Sequence, residues 1–393
     1  MKKEAKLTEK TGVHPLPRTS YNSCYGTVTP GQLGTHIGNY MAQNLETQAR
    51  KSPRILIVRL SAMGDVIHGV PVLCALRKAI PDAFLGWVVE GQMGDLVDSH
   101  PALDELIRVP RRWLASPREV WRLRRRLREL QFDTTIDLQC LTKSAVAAWL
   151  SGAQRRIGKS GPGGRELSPW FHNELTEPGG EHVIDQYLSM LRSLDINSTD
   201  VRFDLPERSE DARMVENFLR TSRLSDRQFA ILNPGAGWPS KVWPPERYGA
   251  IAQHLARVHA LRSVAVWSGP DELRMAKTIV ATSGGHSILA APTSMTELGA
   301  LCRRAALFLG SDTGPMHLAV AVGTPTISMH GPSRAEWCGA FGAENIRLQV
   351  RYQAGSALER RRADNSAMCA INVEMVCSAC DRLIRSTASR QCG

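Results

Sequence analysis

The chain has 393 residues, of which 42% are hydrophobic and 22% are charged, proportions typical of globular proteins. This length suits two domains rather than one, and no uncharged apolar run approaches the ~20 residues of a membrane-spanning helix. The formal net charge of +11 predicts an anionic partner, but charge alone does not choose among nucleic acid, an anionic membrane surface and phosphorylated substrates.

Residues 1–50 are rich in Thr, Gly, Pro, Asn and Gln and have few periodic apolar positions. Two lysines at the start are followed by glutamates and not by the apolar segment of a secretory signal. We expect a disordered extension, or translated sequence upstream of the true start.

A first α/β unit is predicted to begin at Arg54. Residues 55–60, apolar apart from Arg59, form a run typical of a parallel strand buried on both faces, and apolar residues recur at helical spacing over 66–79. Further strands are predicted at 84–89, 105–109 and 134–138, and helices at 93–99 and 117–130. This alternation predicts a doubly wound parallel sheet.

A second unit of the same kind is predicted after a Gly-, Pro- and Arg-rich loop at 155–178, a helix at 183–194 and a polar linker at 195–226. Its strands are predicted at 229–233, 262–267, 307–310 and 326–329, and its helices at 245–258, 271–282, 296–304 and 315–322. Two such units place two sets of strand carboxyl ends across one cleft. We expect domains at 51–205 and 225–350, and a C-terminal segment, 351–393, whose helix could pack back on the first domain.

The loop after the first strand opens a helix and carries Gly64 and Asp65. Gly64 lets the backbone turn sharply, and Asp65 then lies at or beside the helix N-cap, where a carboxylate is favoured. Capping alone would explain Asp65, yet a carboxylate facing a cleft can also accept a proton from a hydroxyl. His68 shares a helix face with Asp65 and is interpreted as a group that orients it, a rival base or a structural residue.

Two further loops follow strands of the second unit. In Asn233-Pro-Gly-Ala-Gly-Trp-Pro-Ser240-Lys241, glycines permit close approach to an anion that Ser240 and Lys241 can reach, although the spacing is not that of a Walker loop. In Ser311-Asp312-Thr313-Gly314-Pro315-Met-His317, free N–H groups at a helix start suit a phosphate. Each loop alone could be a plain turn or a well-capped helix. All three lie at strand carboxyl ends, and this coincidence indicates a site.

These segments, Arg59-Leu-Ser-Ala-Met-Gly-Asp65-Val-Ile-His68 among them, closely resemble those of the bacterial lipopolysaccharide heptosyltransferases. The resemblance runs from about residue 54 to about residue 376. It implies a GT-B fold with two Rossmann-like domains facing across a cleft, and inverting, metal-independent transfer from ADP-heptose. No cofactor is expected, because the ADP-sugar is a substrate.

The resemblance also implies roles for individual residues. Asp65 would be the general base that deprotonates the acceptor hydroxyl, and Lys241 would neutralise the diphosphate. Glu272 falls where the family has a ribose-binding acid. The donor site is thereby predicted to comprise Ser240, Lys241, Glu272, Asp312, Thr313, Gly314 and His317.

Arginines cluster in the first unit with few acids beside them, and the family's first domain binds a phosphorylated, acidic lipid acceptor. The acceptor side is therefore predicted to involve Gly64, His68, Arg122, Arg125 and Arg155. The expected partners are a nucleotide-sugar donor and an anionic glycolipid, with no nucleic acid. The expected location is cytoplasmic, or peripheral on the inner face of the cytoplasmic membrane.

The cysteines do not alter this assignment. There are nine, an odd number, and their scatter favours a reducing compartment over a disulfide framework. Cys377 and Cys380 form a CxxC pair, but zinc sites require a second well-spaced pair. We expect a small-residue helix there and no metal.

Three other functions remain as alternatives. An NAD-dependent oxidoreductase would share the fold, but Gly-x-Gly-x-x-Gly is missing after the first strand. A nucleic-acid-binding protein would explain the charge and would bind with steep salt dependence. A sugar-nucleotide sensor would keep the fold without catalysis, against which the intact Asp65 argues.

Overall fold

The computed structural model of the protein describes residues 52–391, and the prediction of a disordered extension at 1–50 lies outside them. These residues belong to one compact unit, in which two parallel sheets are present.

The first sheet has the strand order β3-β2-β1-β4-β5-β6, and each neighbouring pair is parallel. The central strand β1 is buried along almost its whole length, as its apolar sequence predicts. The strands are β1 (Arg54–Val58), β2 (Phe84–Glu90), β3 (Glu105–Val109), β4 (Thr134–Asp137), β5 (Arg155–Lys159) and β6 (Glu174–Thr176). The helices of this part are α1 (Met63–Ala79), α2 (Pro117–Glu129), α3 (Thr142–Ser151) and α4 (Val183–Ser189).

The second sheet has the order β9-β8-β7-β10-β11-β12, again parallel throughout. Its strands are β7 (Phe229–Asn233), β8 (Arg262–Ala265), β9 (Ser287–Leu289), β10 (Leu307–Ser311), β11 (Thr326–His330) and β12 (Ile346–Gln349). Its helices are α5 (Ser209–Thr221), α6 (Pro245–His259), α7 (Gly269–Thr282), α8 (Met295–Arg304), α9 (Gly314–Ala321), α10 (Ala335–Cys338), α11 (Ala357–Arg362), α12 (Ser366–Cys369) and α13 (Val373–Gln391). Numbered from its first strand, each sheet has the order 3-2-1-4-5-6, so the architecture repeats although the sequence shows no repeat.

Several elements differ from the sequence predictions. The loop predicted at 155–178 contains β5 and β6, and the linker predicted at 195–226 contains α5. These segments are rich in charged residues, so the patterns that mark buried strands are weak there; α5 buries little more than Val215 and Leu219. The helix predicted at 93–99 is a short 3-10 helix, Gly91–Leu96.

The C-terminal helix α13 packs against α6 and β12 of the second sheet. Val376, Ala379, Cys380 and Leu383 join the apolar core of that unit. The prediction that this helix could pack back on the first domain is therefore wrong, because its apolar face is buried against α6 of the second unit. Among residues 52–391, no helix has the length and apolarity needed to cross a membrane.

The two sheets share one apolar core, because α1 from the first unit packs on α9 from the second. Helix α1 begins after the carboxyl end of β1, and α9 begins after the carboxyl end of β10; both strands are central in their sheets. The N-termini of the two helices therefore meet where the cleft is expected.

Candidate active site

Asp65 is the third residue of α1 and lies at the carboxyl end of β1. Its Oδ2 accepts a hydrogen bond from the backbone N–H of Ala62 at 3.2 Å, which satisfies one free donor of the helix start. The side chain remains 37% exposed. Asp65 therefore helps to cap α1 and is also accessible, so the two interpretations of this residue are compatible.

Arg59 holds the Asp65 carboxylate in place, a role that the sequence analysis missed. Its Nη2 lies 2.6 Å from Asp65 Oδ2, and its side chain is only 5% exposed. Burial opposes the charge on Arg59, but the Asp65 carboxylate, together with Tyr187 and Asp137, outweighs it and raises the pKa of the guanidinium. The other carboxylate oxygen, Oδ1, has no hydrogen-bond partner in the described part of the chain.

Lys159 is a second residue that the sequence analysis did not single out. It ends β5, where its Nζ lies 4.3 Å from the centre of the Tyr187 ring. The Arg59 guanidinium lies 5.7 Å from the same ring. Burial is the main reason why the pKa of Lys159 falls to about 8. The first domain thus presents two buried cations against the Tyr187 ring, one of which, Arg59, pairs with Asp65. The position of Lys159 at a strand carboxyl end was the available signal.

Lys241, in the loop after β7, forms a buried ion pair with Asp312 at the end of β10. Its Nζ lies 2.6 Å from Asp312 Oδ2 and 3.1 Å from the Asp312 carbonyl oxygen. His317 Nε2 lies 3.1 Å from the other oxygen, Oδ1. Burial acts to raise the pKa of Asp312, but Lys241 and His317 hold it well below its usual range. Both Asp312 oxygens are therefore occupied by cationic or donor groups.

Thr313 is the N-cap of α9, and Gly314 begins that helix. The Thr313 hydroxyl donates to the Ser311 carbonyl at 3.2 Å and does not cap the helix. The first N–H groups of α9 are thus left without a side-chain cap at the positive end of the helix dipole, where an anion is stabilised.

The starts of α1 and α9 are in direct contact, which brings the two domains together at the site. A Cβ atom built on Gly64 would lie 2.5 Å from His317 Cδ2, and one built on Gly314 would lie 2.5 Å from Met63 Sδ. A larger residue at either position would force the facing side chain to move. Gly64, which makes one of these contacts, is followed directly by Asp65. Asp65 therefore lies one residue from the contact between α1 and the start of α9.

Glu272 lies against the glycine loop that follows β7. Its Oε2 accepts a hydrogen bond from the Ser268 N–H at 2.7 Å, and its carboxylate occupies the space beside Gly235 that a Cβ would need. Burial raises the pKa of Glu272. The Asn233 side-chain amide donates to the Gly235 carbonyl at 3.4 Å and to Thr313 Oγ1 at 3.3 Å, so it connects the loop beside Glu272 to the start of α9.

Ser240 is 1% exposed, and its hydroxyl has no hydrogen-bond partner among the residues described. Ser240 precedes Lys241 in the same loop, but its hydroxyl is buried and does not face solvent.

A family comparison identifies the reaction class. The model of glycosyltransferase family 9 (heptosyltransferase) matches residues 120–367. The chain belongs to glycosyltransferase family 9. It is therefore an enzyme, a glycosyltransferase, and not an oxidoreductase or a non-catalytic sensor.

Individual relatives agree with this family 9 assignment. Lipopolysaccharide heptosyltransferase 1 of Pseudomonas aeruginosa is 27% identical over 326 residues, which cover 78% of this chain and 86% of that protein. A family 9 glycosyl transferase structure from Veillonella parvula matches with a TM-score of 0.72 at 24% identity and covers 85% of this chain and 97% of its own. Escherichia coli heptosyltransferase WaaC with ADP-2-deoxy-2-fluoro heptose matches with a TM-score of 0.65 at 24% identity and covers 84% and 99%. The predicted GT-B fold is confirmed.

His68 does not contact Asp65 in this family 9 enzyme. Its Nε2 lies 3.0 Å from Nδ1 of His317, across the domain contact. Burial, together with His317, holds the pKa of His68 well below its usual range, so the imidazole is neutral. Of the three interpretations of His68, the one in which it orients the Asp65 carboxylate is therefore wrong, because Arg59 holds that carboxylate.

The predicted acceptor arginines are solvent-exposed, and each pairs with a carboxylate. Arg122 pairs with Glu119 at 2.7 Å, and Arg125 lies 3.2 Å from Glu129 on the exposed face of α2. Arg155 begins β5, at the amino end of the sheet, where it pairs with a glutamate and the Ser193 carbonyl. These three arginines nevertheless each have a carboxylate partner: Glu119 and Glu129 lie three and four residues away on α2, and Glu174 lies on the neighbouring strand β6.

One cluster beside the site has the composition of a metal site but not its electrostatics. Potential ligand atoms of Asp312, His330 and Cys338 lie within 4.8 Å of one another. Lys241 already neutralises Asp312, and burial raises the pKa of the Cys338 thiol and lowers that of His330 to about 4. A protonated thiol and an adjacent ammonium group both disfavour a cation.

Proposed function

We propose that the protein transfers heptose, or a related sugar, from an ADP-sugar to an anionic glycan acceptor of the lipopolysaccharide-core type. The observation that carries this proposal is the contact between the α1 start, with Asp65, and the α9 start, with Thr313 and Gly314, beside Lys241. The relative from P. aeruginosa is named a lipopolysaccharide heptosyltransferase, and the E. coli structure holds an ADP-heptose analogue.

In this proposal the second domain binds the donor. The N–H groups at the start of α9 receive the diphosphate, since they lack a side-chain cap. Lys241 adds a positive charge at the same edge of the sheet, and Asp312 positions Lys241 rather than touching the anion, because a carboxylate repels phosphate. His317 fixes the second oxygen of Asp312. Glu272, in the first turn of α7 and against the glycine loop, accepts a hydrogen bond from a ribose hydroxyl.

The reaction is a single displacement with inversion at the anomeric carbon. The acceptor oxygen attacks that carbon as its proton passes to Asp65 Oδ1, and the bond from the carbon to the diphosphate oxygen breaks. The electron pair leaves with ADP, whose growing charge meets Lys241 and the positive end of α9. Arg59 fixes Asp65 through Oδ2, so positioning supplies much of the rate.

Charge compensation at the leaving group is assigned to protein groups rather than to a metal ion. Lys241 and the helix start provide positive charge where the diphosphate binds. The nearby carboxylate, Asp312, is already paired with Lys241 at 2.6 Å, so it has little capacity to ligate a cation as well.

A donor panel tests the proposal. We expect ADP and ADP-heptose to stabilise the protein against thermal unfolding, by about 2.7 kcal/mol at a hundredfold excess over Kd, while UDP and GDP ligands act far more weakly. Turnover should require an ADP-sugar and should persist after treatment with EDTA. Equal stabilisation by all nucleotides, or turnover abolished by chelation, would contradict the proposed donor or the metal-free chemistry.

We also propose that the enzyme works at an anionic membrane surface through α2. Trp121 on this helix is 60% exposed, and exposed arginines surround it, among them Arg118 and Arg124, which have no acidic partner within residues 52–391. Exposed Trp beside basic groups is typical of interfacial helices. This surface would hold the lipid anchor of an acceptor near the cleft.

We expect Trp121→Ala to weaken binding to vesicles containing phosphatidylglycerol roughly tenfold, because the indole would no longer be buried in the interface. Co-sedimentation with these vesicles measures the change in binding. Trp337→Ala is the matched control, since Trp337 is 46% exposed on α10 of the other domain. Equal losses for both variants, or none for Trp121→Ala, would argue against this surface.

A further inference from the structure

Two histidines and one aspartate converge where α13 crosses α6, far from the active site. His254 Nε2 lies 2.8 Å and His259 Nε2 lies 2.6 Å from the same atom, Asp381 Oδ1. The possible ligand atoms of the three residues all lie within 4.8 Å of one another. We propose that His254, His259 and Asp381 form a binding site for a divalent transition-metal ion of the zinc class.

The donor set matches this class of ion. Imidazole nitrogens and a carboxylate oxygen are ordinary ligands of zinc, and three protein ligands leave a position for water. The three side chains are 23%, 14% and 24% exposed, so solvent can reach the ion and complete its coordination.

The local charge also favours a cation. Within the described residues, Asp381 forms no ion pair with Lys or Arg. Its partners are instead the Nε2 atoms of the two imidazoles. A neutral imidazole is the form that ligates a metal, so a carboxylate facing two of them offers one negative charge and two lone pairs.

A small adjustment of the carboxylate would fit the ion. Tetrahedral ligands at zinc–nitrogen distances near 2.0–2.1 Å are about 3.3 Å apart, whereas the present N···O distances are 2.8 and 2.6 Å. Asp381 would have to withdraw by roughly half an ångström to reach that spacing. Its side chain is partly exposed and projects from a helix surface, so this shift needs no rearrangement of the core.

The site would fasten the C-terminal helix to the second domain. His259 is the last residue of α6, just before the start of β8, whereas Lys241 precedes α6 at the opposite edge of the sheet. The ion would therefore take no part in sugar transfer. It would add a cross-link between α6 and α13 to the apolar contacts of Val376 and Leu383.

The experiment is a Zn²⁺ titration of the EDTA-treated full-length protein under reducing conditions, followed by calorimetry and by thermal unfolding. We expect one equivalent to bind and to raise Tm. His254→Ala and His259→Ala should each weaken binding at least tenfold and remove the rise in Tm. Asp381→Asn, which keeps the size of the side chain, should do the same without disturbing the fold.

Two controls separate this site from other zinc ligands. His286→Ala removes a partly exposed histidine on the same domain, and Cys377→Ser/Cys380→Ala removes the CxxC pair; both should bind Zn²⁺ as the unaltered protein does. Failure of the unaltered protein to bind one equivalent, unchanged binding by His254→Ala, or loss of binding in the cysteine variant would each overturn the proposal. Glycosyl transfer should be unaffected in all of these variants, so the outcome is independent of the proposed reaction.

Discussion

Asp65→Asn should lower kcat about 10²- to 10⁴-fold, the usual contribution of a positioned general base, while ADP still binds. The amide keeps the shape of the carboxylate and can still accept a hydrogen bond from the Ala62 N–H, but it cannot take the proton of the acceptor hydroxyl. Steady-state transfer assays give kcat, and calorimetric titration with ADP reports donor binding separately.

The change also removes the partner of a buried guanidinium, because Arg59 is 5% exposed and lies 2.6 Å from Asp65. Thermal unfolding of the variant therefore accompanies the kinetics. Asp82→Asn is the matched control, since Asp82 lies on the surface after the same helix and should leave kcat unchanged. A folded Asp65→Asn enzyme that retains more than a tenth of the normal kcat would remove Asp65 from the role of base.

The central strands of both sheets were predictable because they are short apolar runs followed by glycine loops. β1, β7 and β10 are buried on both faces, so nearly every residue must be apolar, and their carboxyl ends locate the site. β5 and β6 were not predictable on the same grounds. β5 has the sequence Arg-Arg-Ile-Gly-Lys, and its charged residues hide a strand whose last three residues are buried.

Contacts between residues that are distant in the sequence could not be predicted from local sequence patterns. Lys241 and Asp312 were both assigned to the donor side, but their pairing at 2.6 Å depends on how β7 and β10 lie beside each other. Arg59 follows an apolar strand and is fully buried, a placement that becomes understandable only when its carboxylate partner is known. His68 has the helical spacing to face Asp65, yet the packing of α1 on α9 gives it a different neighbour.

Lys241→Met should lower kcat/KM about 10²- to 10³-fold, similar to the loss of one group that stabilises developing negative charge. It should also destabilise the fold by about 3–5 kcal/mol, because Asp312 is left as an unpaired buried carboxylate. Transfer assays and urea unfolding measure the two effects. Lys277→Met, at an exposed position on α7, should cause neither.

The stability loss should depend on pH in a defined direction. In the unaltered protein the pKa of Asp312 is depressed, so the stability this group contributes is present above the unfolded value near 3.9 and is lost as pH falls through the folded value. Without Lys241, burial should raise this pKa. The gap in unfolding free energy between the two proteins should therefore be widest at neutral pH and narrow on acidification.

Asp312→Asn in the Lys241→Met background separates fold from function. An amide needs no cationic partner, so the double variant should recover most of the lost stability. It should not recover transfer, because the positive charge beside the start of α9 is still missing when ADP departs. Activity restored together with stability would mean that Lys241 serves only to neutralise Asp312, and the diphosphate would then depend on the α9 N–H groups alone.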